Sequence, residues 1–146
     1  MQVRWRSAPT RAKQHASSEH LGCTLISFES SRVLRASKDS LALGNRVAAA
    51  GNAVHAGIAA ADAIAACRAG VVWKGEHGQA AGHLEDVAGA DGRRASTHLR
   101  RLLPLKTRAE YDPAPVTDAE ARRAVLAAER IVAIAEHAVM STSARE

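Results

Sequence analysis

The sequence predicts an all-α protein, an antiparallel bundle of four to five helices, and three observations lead to that class. Alanine supplies 33 of the 146 residues, whereas Leu, Ile, Val and Phe together supply only 28. Aromatic and β-branched residues are too few to build a β-sandwich or a barrel. Apolar residues recur in three- and four-residue steps, and the chain is long enough for one domain but hardly for two.

The first 22 residues are expected to form a disordered basic arm, because they show no apolar period. Residues 1–44 carry seven basic and three acidic residues, so most of the net charge of +5 lies there. The arm itself contains four basic residues, Arg4, Arg6, Arg11 and Lys13. Such an arm can contact nucleic acid or an acidic surface, and a solvated tail is the simpler interpretation.

A short amphipathic helix and a linker are expected over residues 23–40, followed by the bundle over residues 41–140 and a tail over residues 141–146. The strongest helical pattern covers residues 41–69. Its apolar stripe consists of Val47, Ala50, Val54, Ile58, Ala61 and Ala65. These positions follow the period of one helix face, so this segment is predicted to be a core helix.

Two glycines inside this helix, Gly51 and Gly57, predict that another helix approaches its backbone closely, since each destabilises a helix by about 1 kcal/mol relative to alanine. The helix is predicted to end at Gly70, with Arg68 in its last turn. No apolar run approaches the roughly 18 uninterrupted residues of a membrane span, so no membrane contact is expected.

The third helix is predicted from Glu76 to Val87 and is ended by Gly89. The fourth is predicted over residues 93–111, with a kink or a restart at Pro104 because proline lacks the amide donor and crowds the preceding turn.

A rigid linker is predicted at Asp112-Pro113-Ala114-Pro115. Thr117 and Glu120 then match a capping box, in which the hydroxyl and the carboxylate each accept a backbone amide of the other residue. The last helix carries an apolar stripe of Ala124, Val125, Ala128, Ile131, Val132, Ala135 and Val139.

The two cysteines, Cys23 and Cys67, form no CxxC pair and lie far apart in the chain. Neither a disulfide framework nor a zinc site is therefore expected, and the cytoplasm is the expected compartment. Residues 1–18 are rich in Arg and Ser, as in an organelle transit peptide, although the Ala/Arg bias extends through the whole chain. No metal and no cofactor is expected. His77 and His83 lie six residues apart on a predicted helix, which points them to divergent faces.

Three segments resemble a HEPN domain, a small helical bundle of prokaryotic proteins. The first is the small-residue helix Asn52–Ile64, and the second is the loop Lys74-Gly75-Glu76-His77-Gly78. The third and most specific is Leu102–Pro113, which contains Arg108-Ala109-Glu110-Tyr111 ahead of a spacer and a final helix. The resemblance covers about two-thirds of the chain.

Catalytic HEPN domains are metal-independent ribonucleases with an arginine and a histidine that are separated by four to six residues. The histidine would serve the attacking hydroxyl or the leaving oxygen, and the arginine the phosphate. At the corresponding place Lys106 and Arg108 are followed by Glu110 and Tyr111. We therefore expect a domain that has lost catalysis and binds RNA, a nucleotide or a partner protein. The resemblance further implies a homodimer, a nucleotidyltransferase partner, and a toxin–antitoxin or defence context.

Two alternatives remain open at this stage. The first is an active ribonuclease that uses Arg93 and His98, which match the catalytic spacing, as Arg130 and His137 also do. An exposed polar surface explains either pair as well. The second alternative is a plain dimerisation module whose Gly/Ala helix face forms the interface.

The predicted ligand site consists of Lys106, Arg108, Tyr111 and Asp62. With Arg100 and Arg101 upstream, the two cations form the densest positive stretch of the bundle. Asp62 lies inside an apolar helix, and a buried carboxylate needs a partner. It is expected to pair with Lys106 or Arg108, leaving the other cation for an anionic ligand near Tyr111.

Overall fold

The computed structural model of the protein describes residues 11–111 and 115–145, with side chains described for residues 20–108 and 115–145. Over these ranges the chain forms five α-helices and a 3₁₀ turn, and it contains no strand. The helices are α1 (Arg11–Ala42), α2 (Arg46–Ala69), α3 (Ala80–Val87), α4 (Gly89–Tyr111) and α5 (Asp118–Ser143), with the 3₁₀ turn at His77–Gln79. The all-α class is confirmed.

Helix α2 is the centre of the bundle and packs against α1, α4 and α5, while α3 packs on α4. Most of the core consists of alanine, since α2 and α5 bury long series of it. The largest fully buried apolar side chains are those of Ile64, Leu84, Leu99, Leu102 and Ile131. Helix α2 is long and apolar enough to cross a membrane by length and composition, a test that core helices of globular proteins also pass.

Helix α1 is longer than the sequence suggests. It begins at Arg11 and runs through residues 11–22, where an unstructured arm was expected, whereas residues 1–10 lie outside the described part of the chain. Ser27, Ser30 and Ser37 are buried on α1. Ser30 donates to the carbonyl of Ser27 at 2.7 Å, and Ser37 donates to the carbonyl of Ala49 at 2.6 Å. Hydrogen-bonded serines thus form a packing face that an apolar period does not reveal.

Cys23 and Cys67 form a disulfide bond between α1 and α2, with their Cα atoms 5.4 Å apart. The expectation that the cysteines stay unpaired is therefore wrong. The two residues are 44 positions apart and almost equidistant from the turn at Gly44 and Asn45. An antiparallel helix pair brings such positions side by side, which sequence spacing alone does not show.

The ends of α2 follow the predicted signals. Asn45 caps its first turn by accepting from the amide of Ala48 at 3.1 Å, and Gly70 ends it with a left-handed φ of 67°. The helix begins at Arg46, later than the expected residue 41. Gly57 meets another helix as predicted, since a Cβ atom there would overlap Cδ1 of Leu102, but Gly51 faces open space.

The third helix starts with the 3₁₀ turn, and α-helical structure begins only at Ala80. Gly92 lies at the tight corner between α3 and α4, where a Cβ atom would overlap the carbonyl oxygen of Leu84. Helix α4 continues through Pro104, so no restart occurs there. The capping box of Thr117 and Glu120 at the start of α5 is confirmed. The proposed linker lies outside the described residues except for Pro115.

Candidate anion-binding groove

A groove runs between α4 and α5 on the outer surface of the bundle. A hollow of about 650 Å³ occupies one half, and a second hollow of about 590 Å³ continues it along the same two helices. His98 and Arg130 line both hollows, so we treat them as one α4–α5 groove. Its floor is apolar and comprises Pro104, Leu105, Ala124, Leu126, Ala127, Ala133 and Ile134.

Basic side chains line both sides of the α4–α5 groove at intervals of seven residues. On α4 they are Arg94, Arg101 and Arg108. On α5 they are Arg123, Arg130 and His137. Seven residues make nearly two turns of an α-helix, so each set of three lies on one face. The folded helices thus gather cations that are scattered in the sequence.

Among the described residues that line the groove, Glu120 is the one acidic side chain, and its carboxylate is already engaged. It accepts a hydrogen bond from Arg108, and it also accepts the amide of Thr117 at 2.9 Å in the capping box. The Arg108 guanidinium, with help from the Thr117 amide, lowers the pKa of Glu120 to about 2. Glu120 is therefore ionised at neutral pH and fixes Arg108 at the end of the groove.

Three arginines of the groove, Arg101, Arg123 and Arg130, form no ion pair within the described part of the chain. Arg94 does form an ion pair, since its Nη1 atom is 3.5 Å from Oδ1 of Asp91. The basic residues therefore exceed the acidic ones along the whole groove. Such an arrangement attracts anions, and the apolar floor lowers the local dielectric.

His98 lies at the junction of the two hollows. Its Nδ1 atom is buried and has no hydrogen-bond partner among the described residues. Partial burial, together with the charges of Arg101, Arg130 and Arg94, lowers the pKa of His98 below its ordinary value. The imidazole is therefore neutral at pH 7 and can donate or accept one proton.

The structure separates the predicted catalytic pair. Arg93 is exposed and does not line the groove, where Arg94 lies beside His98 instead. Five residues turn a helix through one full revolution and more than a third of the next, whereas four residues bring side chains onto one face. Arg130 and His137, by contrast, do share the groove.

The predicted ligand residues do not come together as one site. Arg108 lines the groove and binds Glu120, while Lys106 is half-buried and lines none of the hollows described here. The side chain of Tyr111 lies outside the described residues. Asp62 forms no ion pair with either cation, so the expected Asp62 pair is wrong.

Asp62 instead lines a small pocket between α2 and α3, together with Trp73, His77 and His83. The pocket measures about 20 Å³, room for one water molecule. Trp73 stacks on His83 with ring centroids 4.7 Å apart, and Nε2 of His83 is buried without a partner among the residues described. Burial raises the pKa of Asp62 to about 6. The two histidines thus face one pocket, contrary to the expected divergence.

No group of three or more His, Cys, Asp or Glu residues in the described chain could hold a metal ion. No family model matches this chain, and no curated protein and no solved structure matches it either. The interpretation of function therefore rests on the groove itself. Arg94 and Arg123 could not be singled out from the sequence, because the seven-residue repeats of basic residues lie on two helices that meet only in the fold.

Proposed function

We propose that the protein is a non-catalytic binding module that holds a polyanionic partner in the α4–α5 groove. The observation that carries this proposal is the composition of the lining. Among the described residues, five arginines and two histidines face the groove, and the one carboxylate beside them, that of Glu120, is bound to Arg108. Guanidinium groups suit phosphate and carboxylate oxygens alike, so RNA, a nucleotide and an acidic protein all belong to this class of partner.

A HEPN-like identity is part of the same proposal. Its support is the likeness of residues 52–64, 74–78 and 102–113 to that family, and an all-α bundle is compatible with it. A homodimer, a nucleotidyltransferase partner, a toxin–antitoxin or defence context and the cytoplasm are proposed on this likeness. The cysteines no longer argue for the cytoplasm, because they are joined. Sedimentation at micromolar concentration tests the homodimer, and a single monomer species would contradict it.

The binding proposal is tested with a double variant, Arg101→Gln with Arg130→Gln, in the full chain. The probes are a fluorescent oligouridine of about 12 nucleotides and a polyglutamate peptide, each titrated at about 50 and about 200 mM salt. We expect about tenfold weaker binding of at least one probe and a smaller salt dependence, with an unchanged melting temperature.

The matched control is Arg35→Gln with Arg145→Gln, which removes two exposed charges outside the groove. If the control loses as much affinity as the groove variant, the attraction comes from net charge and the proposed site is wrong. If neither probe binds the parent protein at the lower salt, the proposed function is wrong.

A metal-independent ribonuclease is the second candidate, and one observation favours it. His98 holds a neutral imidazole beside Arg94, Arg101 and Arg130, a combination that suits proton transfer next to a phosphate. RNA cleavage that persists in chelator and disappears in His98→Ala would support this activity. Arg93→Ala should then leave cleavage intact, since Arg93 lies off the groove. Equal cleavage by the parent and His98→Ala would exclude the candidate.

A further inference from the structure

The arrangement of the groove points to a particular class of partner, and this inference rests on the proposed function. We propose that the α4–α5 groove binds an acidic amphipathic helix of another protein. Two neighbouring helices with an apolar seam and charged flanks form the surface on which a third helix packs in bundles and coiled coils.

The two rows of basic residues, Arg94, Arg101 and Arg108 on α4 and Arg123, Arg130 and His137 on α5, form the basic rims of the groove. The length of these rims determines the length of the helix that fits. Arg94 and Arg108 are 14 residues apart on α4, and Arg123 and His137 are 14 residues apart on α5. At 1.5 Å per residue each rim extends about 21 Å, which matches about four turns of a docked helix. A shorter peptide would leave one end of the groove without a partner.

The spacing within the rims sets the charge pattern of the partner. Cations recur at seven-residue intervals along both sides, as flanking charges do beside the apolar seam of a coiled coil. A helix with carboxylates at seven-residue intervals on each flank would place one opposite every second turn of α4 and α5. Arg101, Arg123 and Arg130 would gain the partners they lack within the described chain.

The apolar floor of the α4–α5 groove determines which face of the partner helix must be apolar. Leu126 is 52% exposed although it lies on the floor of the groove, and Leu105 lies there half-buried. Leucine or isoleucine side chains of a docked helix would cover both residues and exclude water. Burial of aliphatic side chains then adds affinity that does not weaken with salt.

RNA fits this lining less well. Proteins that bind single strands stack the bases on aromatic rings, and the described residues that line the groove include none. The chain's own first ten residues fit poorly as well, because they carry Arg4 and Arg6 and no carboxylate. Charge therefore favours an acidic segment of a different protein.

The experiment uses a synthetic helical peptide of about 18 residues, with leucines in a heptad stripe and glutamates on both flanks. A scrambled peptide of identical composition keeps the charge and loses the stripe. Fluorescence anisotropy with the full chain should show the patterned peptide binding at least about tenfold more tightly than the scrambled one. Circular dichroism should show the patterned peptide gaining helix in the complex.

Two variants separate the floor from the rims. Leu126→Gln should weaken the patterned peptide about fivefold and weaken oligouridine much less, whereas Leu43→Gln, at an exposed leucine outside the groove, should change neither. Equal binding of the patterned and scrambled peptides would overturn the helix and leave the polyanion module intact. Tighter binding of oligouridine than of either peptide would overturn it in favour of RNA. If the parent protein binds neither peptide and no oligouridine, both proposals are wrong.

Discussion

Two seams between neighbouring helices of the bundle differ, since one is closed and the other stays open on its outer side. The seam between α1 and α2 is closed by small side chains, with Ser37 bonded to the backbone of Ala49 and Cys23 joined to Cys67. The seam between α4 and α5 stays open on its outer side, where Arg101 and Leu126 line a groove. Both pairs pack on one alanine-rich core. Small side chains thus let α1 and α2 close over their seam, whereas the larger side chains between α4 and α5 leave a groove open.

The closed seam gives the largest expected effect on stability. Replacing both cysteines, Cys23→Ala with Cys67→Ala, should lower the free energy of unfolding by about 4 kcal/mol, because the bond closes a loop of 44 residues in the unfolded chain. Denaturant titration under oxidising conditions measures the loss.

The parent protein in reducing agent is the matched control for this pair. It should unfold at nearly the same midpoint as the double variant, since both lack the crosslink. Identical midpoints for the oxidised parent and the double variant would show that the α1–α2 seam depends on packing alone.

Asp62, in its small pocket, is expected to make the stability of the folded protein depend on pH. Burial raises the pKa of Asp62 from 3.8, its ordinary value in an unfolded chain, to about 6 in the folded chain. The folded state therefore binds the proton more tightly, and stability should fall as the pH rises from about 4 to about 6. After allowance for solvent screening, the loss should be about 1–2 kcal/mol.

Asp62→Asn should remove this pH dependence and stabilise the protein at pH 7 by a similar amount. This direction is opposite to what a buried pair with Lys106 or Arg108 would give. Urea titrations at pH 4 and pH 7 measure it. Asp39→Asn, at an exposed carboxylate, provides the comparison and should leave the pH slope as it is. A less stable Asp62→Asn at pH 7 would contradict the prediction.

The smallest expected effect compares two glycines of α2. Gly57→Ala should lower stability by about 1 kcal/mol, since its methyl group would overlap Leu102, whereas Gly51→Ala should raise it by about 0.5–1 kcal/mol. Thermal melts of the two variants give the sign of each change. Changes of the same sign would show that Leu102 moves aside without penalty.

The helices that carry local signals could be predicted from the sequence, and the contacts between helices could not. The Gly70 end of α2 and the capping box of Thr117 depend on residues that are close together in the chain. The local sequence is therefore sufficient to predict them. The start of α1, the Cys23–Cys67 bond and the partner of Asp62 depend on which helix lies beside which. The groove belongs to the second class, because Arg101 and Arg130 meet only when α4 and α5 pack.

The disulfide also determines how the chain responds to mechanical force. A pull on the two termini cannot extend the segment between Cys23 and Cys67, because the bond carries the load across it. The two cysteines are 44 positions apart, so at roughly 3.4 Å per extended residue the bond withholds about 150 Å of contour length from extension. The oxidised molecule is therefore a chain with a covalently closed helical hairpin, and only the segments outside it, including the whole α4–α5 groove, can be drawn out.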